Sequence, residues 1–152
     1  MYKFYLQRAD IPSQPKLDLE KHFKGLIYKS CKGLNTKGKR KDILVEKYVD
    51  SDEDRVWQGD NVCRESTKIE LELYFVGTGR ENVYESFYEY IKNGKFYYYD
   101  TARHRKAYLV FSKELEPDEE VFVGSNPYML TSFEFNNIWG ECKPCDDDGI
   151  LV

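Results

Sequence analysis

The chain has 152 residues and a net charge of −4, with 33% charged and 16% aromatic residues. The acidic balance disfavours a dedicated nucleic-acid-binding protein, which is usually basic, and the length suits one domain that buries about two thirds of its unfolded surface. The start Met1–Phe4 lacks the apolar stretch of a secretory signal, and no run approaches the roughly 18 apolar residues of a membrane span. We therefore expect one intracellular domain whose four cysteines are reduced thiols.

The N-terminal segments favour extended structure with little helix. Tyr2–Gln7 alternates enough for a first strand or an arm, and Ala9–Lys16 carries two prolines typical of a linker. Leu17–Phe23 can form one helical turn. We divide the single domain into an N-terminal arm over residues 1–24, a β core over residues 25–140 and an acidic, flexible tail over residues 141–152.

A long β-hairpin is predicted next. Gly25–Lys32 alternates as a strand, Gly33–Lys41 forms a polar tip, and Ile43–Val49 is the expected return strand. Four basic residues give this tip a positive charge: Lys37, Lys39, Arg40 and Lys41.

The segment Asp50–Ser66 is the least regular part of the sequence. At about 17 residues it exceeds an ordinary hairpin loop, which indicates a functional excursion or a weakly paired strand. Its first residues, Asp50–Asp54, are spaced like the start of a calcium-binding loop. Arg55 stands where such a loop requires glycine, and Asn61 stands where it requires a bidentate glutamate. A solvated acidic loop is the better interpretation.

The following stretch is the clearest strand in the sequence. Lys68–Val76 places apolar residues on one face and mostly charged residues on the other, which is the period-2 pattern of a half-buried strand. Strict alternation also favours antiparallel pairing, because parallel strands read as continuous apolar runs.

An amphipathic helix is predicted over about residues 82–93. Its apolar stripe follows the spacing i, i+4, i+8 and contains Val83, Tyr84, Phe87, Tyr88 and Ile91. Asn82 is expected to cap the first turn, and Gly94 is expected to end the helix in a left-handed conformation.

Two aromatic-rich strands follow the helix, Lys95–Tyr99 and Lys106–Ser112, around a polar turn. Alternation places Phe96 and Tyr98 on one face and Tyr97 and Tyr99 on the other, so we expect one pair in the core and the other at a surface or subunit contact. Further along, a charged turn is predicted at Leu115–Glu120, a short strand at Val121–Val123 and a longer strand at Tyr128–Asn136.

These elements predict a mainly β fold: an antiparallel β-sandwich or small barrel with one flanking α-helix. Seven residues have the phase to share one core: Leu71, Leu73, Phe75, Phe87, Ile91, Leu109 and Phe133.

No catalytic, cofactor or metal signature emerges from the sequence. Cys142 and Cys145 have the spacing of a metal or redox pair, but zinc needs two more ligands, and Cys31 and Cys63 are isolated. A redox pair would lie at a helix start in a βαβ context, which is missing here. His104 lies in a charged turn without a nucleophile pattern nearby. We therefore expect a non-enzymatic protein that folds without metal.

The order strand, helix, strand, turn, strand over Ile69–Phe111 resembles the core of bacteriophage tail-tube and distal-tail proteins. Tyr84–Gly94 resembles the Tyr-x-x-Phe-x-x-x-Ile/Leu-x-x-Gly helix of those proteins, and Glu65–Leu71 resembles the strand that leads to it. Leu26–Lys47 and Tyr128–Asn137 are similar to related phage or prophage proteins of gut bacteria.

The resemblance implies a structural subunit of a phage or prophage tail, such as a tube, distal-tail or connector ring. Such a subunit would assemble with itself and with other tail proteins, let DNA pass without specific binding, and contact no membrane. It would be made in the bacterial cytoplasm and end in the virion tail. Opposite charges at the basic tip and the acidic excursion suit head-to-tail contacts in a closed ring. The candidate assembly contacts are Lys37, Lys39, Arg40, Lys41, Asp52, Glu53, Asp54, Trp57, Tyr97 and Tyr99.

A second hypothesis is a small carbohydrate- or ligand-binding β-sandwich module. Tyr97, Tyr99 and Trp57 would then form an exposed platform on which sugar rings or bases stack. This hypothesis predicts a monomer with an aromatic groove, whereas the first predicts an oligomer.

Overall fold

The computed structural model describes residues 2–11, 13–39, 43–46, 55–58 and 64–152. Its elements in chain order are β1 (Phe4–Arg8), β2 (Leu17–Asp18), α1 (Leu19–His22), β3 (Leu26–Lys32), β4 (Ile43–Glu46), β5 (Arg55–Gln58), β6 (Thr67–Val76), α2 (Arg80–Ile91), β7 (Lys95–Asp100), β8 (Arg105–Val123), β9 (Asn126–Asn137) and β10 (Lys143–Pro144).

One antiparallel sheet dominates the molecule. Its strand order is β2-β1-β7-β8-β9-β6-β3, with β10 added beside β8, while β4 and β5 pair with each other. The mainly β class with a flanking helix is therefore confirmed. The two-layer sandwich stays a prediction, because the main sheet is open: its order begins at β2 and ends at β3.

The open sheet is curled, so that strands far apart in its order meet across its inner face. The ring of Phe4 in β1 stacks on the ring of Tyr28 in β3, with 3.6 Å between centroids. The Tyr98 hydroxyl of β7 also lies 3.3 Å from the Tyr28 hydroxyl. The curl turns one face of the sheet inward, and helix α2 packs against that face.

The core predicted from alternation is confirmed. Phe87 and Ile91 of α2 are fully buried against β6 and β9, and all seven predicted core residues belong to one hydrophobic cluster. Phe87 lies 5.3 Å from Phe133 and 5.4 Å from Phe23, ring centroid to ring centroid. The apolar face of the helix thus packs against the apolar face of the strands, as predicted from the helical and strand periods.

The predictions for both ends of the helix are wrong. Its N-cap is Gly79 rather than Asn82, and no side chain caps the first turn. Gly94 does not adopt a left-handed conformation. A Cβ at Gly94 would collide with the ring of Phe96, so glycine is needed there for close approach rather than for backbone conformation.

The predicted hairpin of Gly25–Lys32 with Ile43–Val49 does not form. Strand β3 pairs with β6 instead, and β4 pairs with β5. Pairing with β6 lets Leu26 and Cys31 of β3 extend the apolar face of a ten-residue strand and become buried. Burial of apolar side chains therefore favours the distant partner over the local hairpin.

The predicted turn at Leu115–Glu120 and the separate strand Val121–Val123 are also wrong. Strand β8 runs unbroken from Arg105 to Val123 and pairs with β9 through three register shifts. Pro117 lies inside one of these shifts, where a residue without an N–H costs no ladder hydrogen bond.

Side chains bond two of the backbone groups of the edge strand β3. The Glu20 carboxylate accepts the Tyr28 N–H at 3.1 Å, and the Arg103 guanidinium donates to the Cys31 carbonyl at 3.5 Å. Such capping protects a terminal strand from pairing with another chain. A contact surface is therefore better sought on the outer face of the sheet.

Candidate assembly surface

The basic tip predicted from sequence lies in the loop after β3. Lys37 and Lys39 are exposed there, while Arg40 and Lys41 lie outside the described residues. The loop is held in place because the Gly38 N–H donates to the Gly140 carbonyl at 2.7 Å and Arg64 donates to the Gly38 carbonyl at 3.0 Å. The two exposed lysines therefore extend from a fixed backbone.

A groove of about 350 Å³ lies between this loop and β10. Among the described residues that line it are three cations, Lys37, Arg105 and Lys143, and one carboxylate, Glu141. Glu141 already pairs with Arg64, with 3.4 Å between carboxylate oxygen and guanidinium nitrogen. The groove therefore has positive potential that its own carboxylate does not cancel, and we call it the basic groove.

The lining of the basic groove also includes two uncharged residues, Leu34 and Cys142. Leu34 is buried, and burial raises the pKa of the Cys142 thiol to about 11. At neutral pH Cys142 is therefore protonated and adds no negative charge.

An aromatic cluster lies beside the basic groove on the outer face of the sheet. The ring of Tyr97 in β7 lies 5.1 Å from Tyr108 in β8 and 5.8 Å from Trp139, which follows β9. All three side chains are only half buried. We call these three residues the outer aromatic cluster.

Two ammonium groups lie over the rings of this cluster. The Lys106 Nζ is 4.4 Å from the centroid of Tyr97, and the Lys143 Nζ is 4.4 Å from that of Trp139. These distances are within the range of cation–π attraction. Burial lowers the pKa of Lys106, because the ammonium is partly removed from water. Lys143 lines the groove and the cluster together, so the two form one surface.

The structure corrects the prediction that Tyr99 is an exposed contact residue. Tyr99 is 0% exposed, although it lies on the outer face with Tyr97. It stacks on Tyr5 at 5.0 Å, and a Cβ at Gly149 would lie 2.7 Å from its ring. The C-terminal residues thus cover Tyr99, and burial raises the pKa of its hydroxyl.

That covering segment is an acidic loop, Asp146–Gly149, which is attached to the sheet. Strand β10 pairs with the start of β8, and the Cys145 N–H donates to the His104 carbonyl at 2.9 Å. The Lys106 Nζ donates to the Gly149 carbonyl at 2.8 Å. Lys16 pairs with Asp148 at 3.8 Å. The acidic loop Asp146–Gly149 is therefore attached at the end of the surface that contains Tyr99.

The sequence predicts part of this surface. Tyr97, Lys37 and Lys39 are among the predicted contact residues, and Arg105 lies close to the aromatic run in sequence. Tyr108, Trp139, Lys106 and Lys143 were not predicted. The position of Tyr108 can be predicted from the sequence, since a hairpin centred on the turn after Tyr99 places it opposite Tyr97. The side chains of Asp52, Glu53, Asp54 and Trp57 lie outside the described residues, so their proposed contacts stay predictions.

The described side chains offer little else for chemistry. They contain no group of three or more His, Cys, Asp or Glu residues able to hold a metal ion. Among the described helices, none has the length and apolar composition to cross a membrane.

The fold is similar to that of solved phage hub and baseplate proteins. A structure of the phage p2 baseplate in its activated conformation with Sr matches 91% of this chain with a TM-score of 0.54 and 12% identity. The SPP1 Dit protein, described as a paradigm of the hub adsorption apparatus in phages that infect Gram-positive bacteria, matches 88% with a TM-score of 0.46 and 12% identity.

The resemblance predicted from sequence is thus confirmed at the level of the fold. This chain covers 44% of the p2 chain and 49% of the SPP1 chain, so it spans about half the length of the proteins it matches. No protein-family model matches it, and no curated protein matches it significantly.

Proposed function

We propose that this chain is a non-catalytic structural subunit of a phage or prophage tail. It assembles with copies of itself, as a tube, distal-tail or connector ring, and with other tail proteins. The observation that carries the proposal is the likeness of nearly the whole chain to part of a phage baseplate protein.

The proposed contact joins the basic tip of one copy to the acidic run of the next. Lys37 and Lys39 are exposed on a fixed loop, and Lys37 lines a groove with net positive charge. The sequence supplies a complementary run at Asp50–Asp54, in which four of five residues are acidic. Two different patches on one chain give a heterologous contact, which is the type that closes into a ring.

The test exchanges charge on the acidic side. The triple variant Asp52→Lys, Glu53→Lys, Asp54→Lys should stay folded but fail to assemble into particles, because charges at a contact rim govern encounter more than subunit stability. Particle assembly is scored by electron microscopy, and folding by circular dichroism.

A reciprocal variant provides the control. Changing Lys37, Lys39 and Arg40 to Glu should block assembly by itself, whereas mixing the two charge-reversed proteins should restore contacts between unlike copies. Normal assembly by either reversed protein alone would refute the contact.

Carbohydrate binding is the second candidate, and the outer aromatic cluster is the observation in its favour. Tyr99 cannot belong to the predicted exposed platform of Tyr97, Tyr99 and Trp57, because Tyr99 is buried. Lys106 and Lys143 also lie over rings that a sugar would need to stack on. Saturable sugar binding that is lost on Tyr97→Ala would favour this candidate over the structural one.

A further inference from the structure

The positive surface continues well beyond the basic tip. Lys37 shares the basic groove with Arg105 and Lys143, and Lys143 reaches over Trp139. Trp139 in turn packs 5.8 Å from Tyr97. A chain that enters at Lys37 can therefore pass along Arg105 and Lys143 to Trp139, and the one described carboxylate in the groove lining, Glu141, is paired with Arg64.

One end of this surface already contacts an acidic segment of the same chain. At its far end, the acidic loop Asp146–Gly149 lies against Tyr99 and accepts a hydrogen bond from Lys106 through a backbone carbonyl. Lys16 pairs with the loop and also lies 5.7 Å from the Tyr99 ring centroid. Lys16 over Tyr99 thus contacts an acidic polypeptide segment here, and Lys143 over Trp139 repeats that arrangement where the ring is still half exposed.

We propose that the acidic run Asp50–Asp54 of a second copy docks along this surface, from Lys37 through Arg105 and Lys143 to Trp139. The inference rests on the proposed function, and it extends the receiving site to residues that the basic tip does not contain. Five extended residues span about 17 Å, and Lys143 both lines the groove and lies over Trp139, so the groove and the aromatic cluster adjoin.

Charge complementarity selects this occupant among those the chain could offer. Of its acidic runs, Glu116–Glu120 belongs to β8 and is paired with β9, and Asp146–Asp148 is already attached to the main sheet. The run Asp50–Asp54 instead follows β4 in sequence, which lies outside that sheet. An apolar partner is disfavoured because two ammonium groups would be buried without anions. An anionic polysaccharide shares the charge but needs the ring faces, which the lysines occupy.

The experiment measures binding of a labelled peptide of residues 49–55 by fluorescence anisotropy. The receiver is the full chain with Asp52→Asn, Glu53→Gln and Asp54→Asn, so that its own run does not compete. Binding should weaken with added salt. A control peptide with Asn and Gln in place of Asp and Glu should bind at least about tenfold more weakly.

Receiver variants then locate the site. Arg105→Gln with Lys143→Gln should reduce affinity about fivefold or more, since two charge pairs are lost. The matched control removes two exposed lysines elsewhere, Lys21→Gln with Lys24→Gln, and should change affinity less than about twofold. Peptide binding should also change the tryptophan emission of the receiver, and this change should disappear in Trp139→Phe.

The two hypotheses fail in different ways. If Lys37→Gln with Lys39→Gln weakens binding while Arg105→Gln with Lys143→Gln does not, the extended site is wrong and the proposed tip contact stands. If the peptide binds and neither pair matters, both contacts are wrong. If the peptide does not bind and a soluble polyuronate binds through Lys143 and Trp139, the surface is a sugar site and the inference is overturned.

Discussion

Both faces of the curled sheet carry a cluster of aromatic rings, but different groups cover the two clusters. On the inner face, Phe87 of α2 contacts Phe75 and Phe133, and all three are 0% exposed. On the outer face, Tyr97 and Trp139 are half buried and are covered by lysine ammonium groups. In the folded protein the inner rings are surrounded by other apolar groups, whereas the outer rings are partly covered by flexible, charged side chains.

Because of this difference, the two clusters are expected to contribute to different properties: the inner one to folding stability and the outer one to association. An aromatic ring enclosed by other rings contributes its whole buried area to folding. A ring beneath a lysine still has apolar area that a partner can bury, because the lysine side chain can turn toward an anion of that partner. The inner cluster should therefore dominate stability and the outer cluster should dominate association.

The largest effect is expected from truncation on the inner face. Phe87→Ala should lower the free energy of unfolding by about 3–5 kcal/mol, because the helix and sheet cannot close the cavity left between Phe23 and Phe133. Tyr97→Ala on the outer face should cost about 1 kcal/mol, the ordinary effect of a point substitution. Urea unfolding of both variants checks the contrast, and equal losses would contradict it.

A smaller effect is expected where the inner face is tightest. Gly94→Ala should destabilise the protein by about 1–3 kcal/mol, because the new methyl group overlaps the Phe96 ring and forces repacking. Gly79→Ser, at the other end of the same helix, meets no atom within 4 Å and should be neutral. Thermal unfolding of the pair tests this, and an unchanged midpoint for Gly94→Ala would refute the close approach.

The charged part of the outer face should contribute less, and in a pH-dependent way. Burial by itself would raise the pKa of Glu72, but hydrogen bonds from Lys29, Lys32 and Ser30 outweigh it and hold the pKa below its ordinary value. This stabilisation is present above the unfolded-state pKa and is lost as the pH falls through the lower folded-state pKa.

Glu72→Gln should therefore cost about 1 kcal/mol at neutral pH. The difference from the parent protein should shrink as the solution is acidified below about pH 4. Unfolding free energies of both proteins between pH 7 and pH 3 supply the measurement. A free-energy difference between the two proteins that grew on acidification would contradict this prediction.

The smallest effect is expected from removal of metal. Burial raises the pKa of Cys31 to about 12 and that of Cys142 to about 11, so both are neutral thiols that bind metal poorly. A chelator should leave the unfolding midpoint unchanged, and alkylation of both thiols in the folded protein should be slow at pH 8. Stoichiometric zinc in the purified protein would contradict this prediction.

Local patterns in the sequence were sufficient to predict the inner face. Strict alternation in Lys68–Val76 assigned the buried side of β6, and the stripe through Phe87 and Ile91 assigned the buried side of α2. Both follow from the geometry of a single element, since side chains repeat every 2 residues in a strand and every 3.6 in a helix. The seven core residues needed no knowledge of strand order.

The sequence by itself determined which face each element buries, and only the tertiary structure decided what lies against that face. Alternation put Tyr97 and Tyr99 on the same side of β7, yet the C-terminal loop covers Tyr99 and leaves Tyr97 half exposed. Likewise β3 reads as half of a local hairpin but pairs with β6, 35 or more residues further along the chain. Closing a longer loop costs little additional free energy, so the partner that buries more apolar surface prevails.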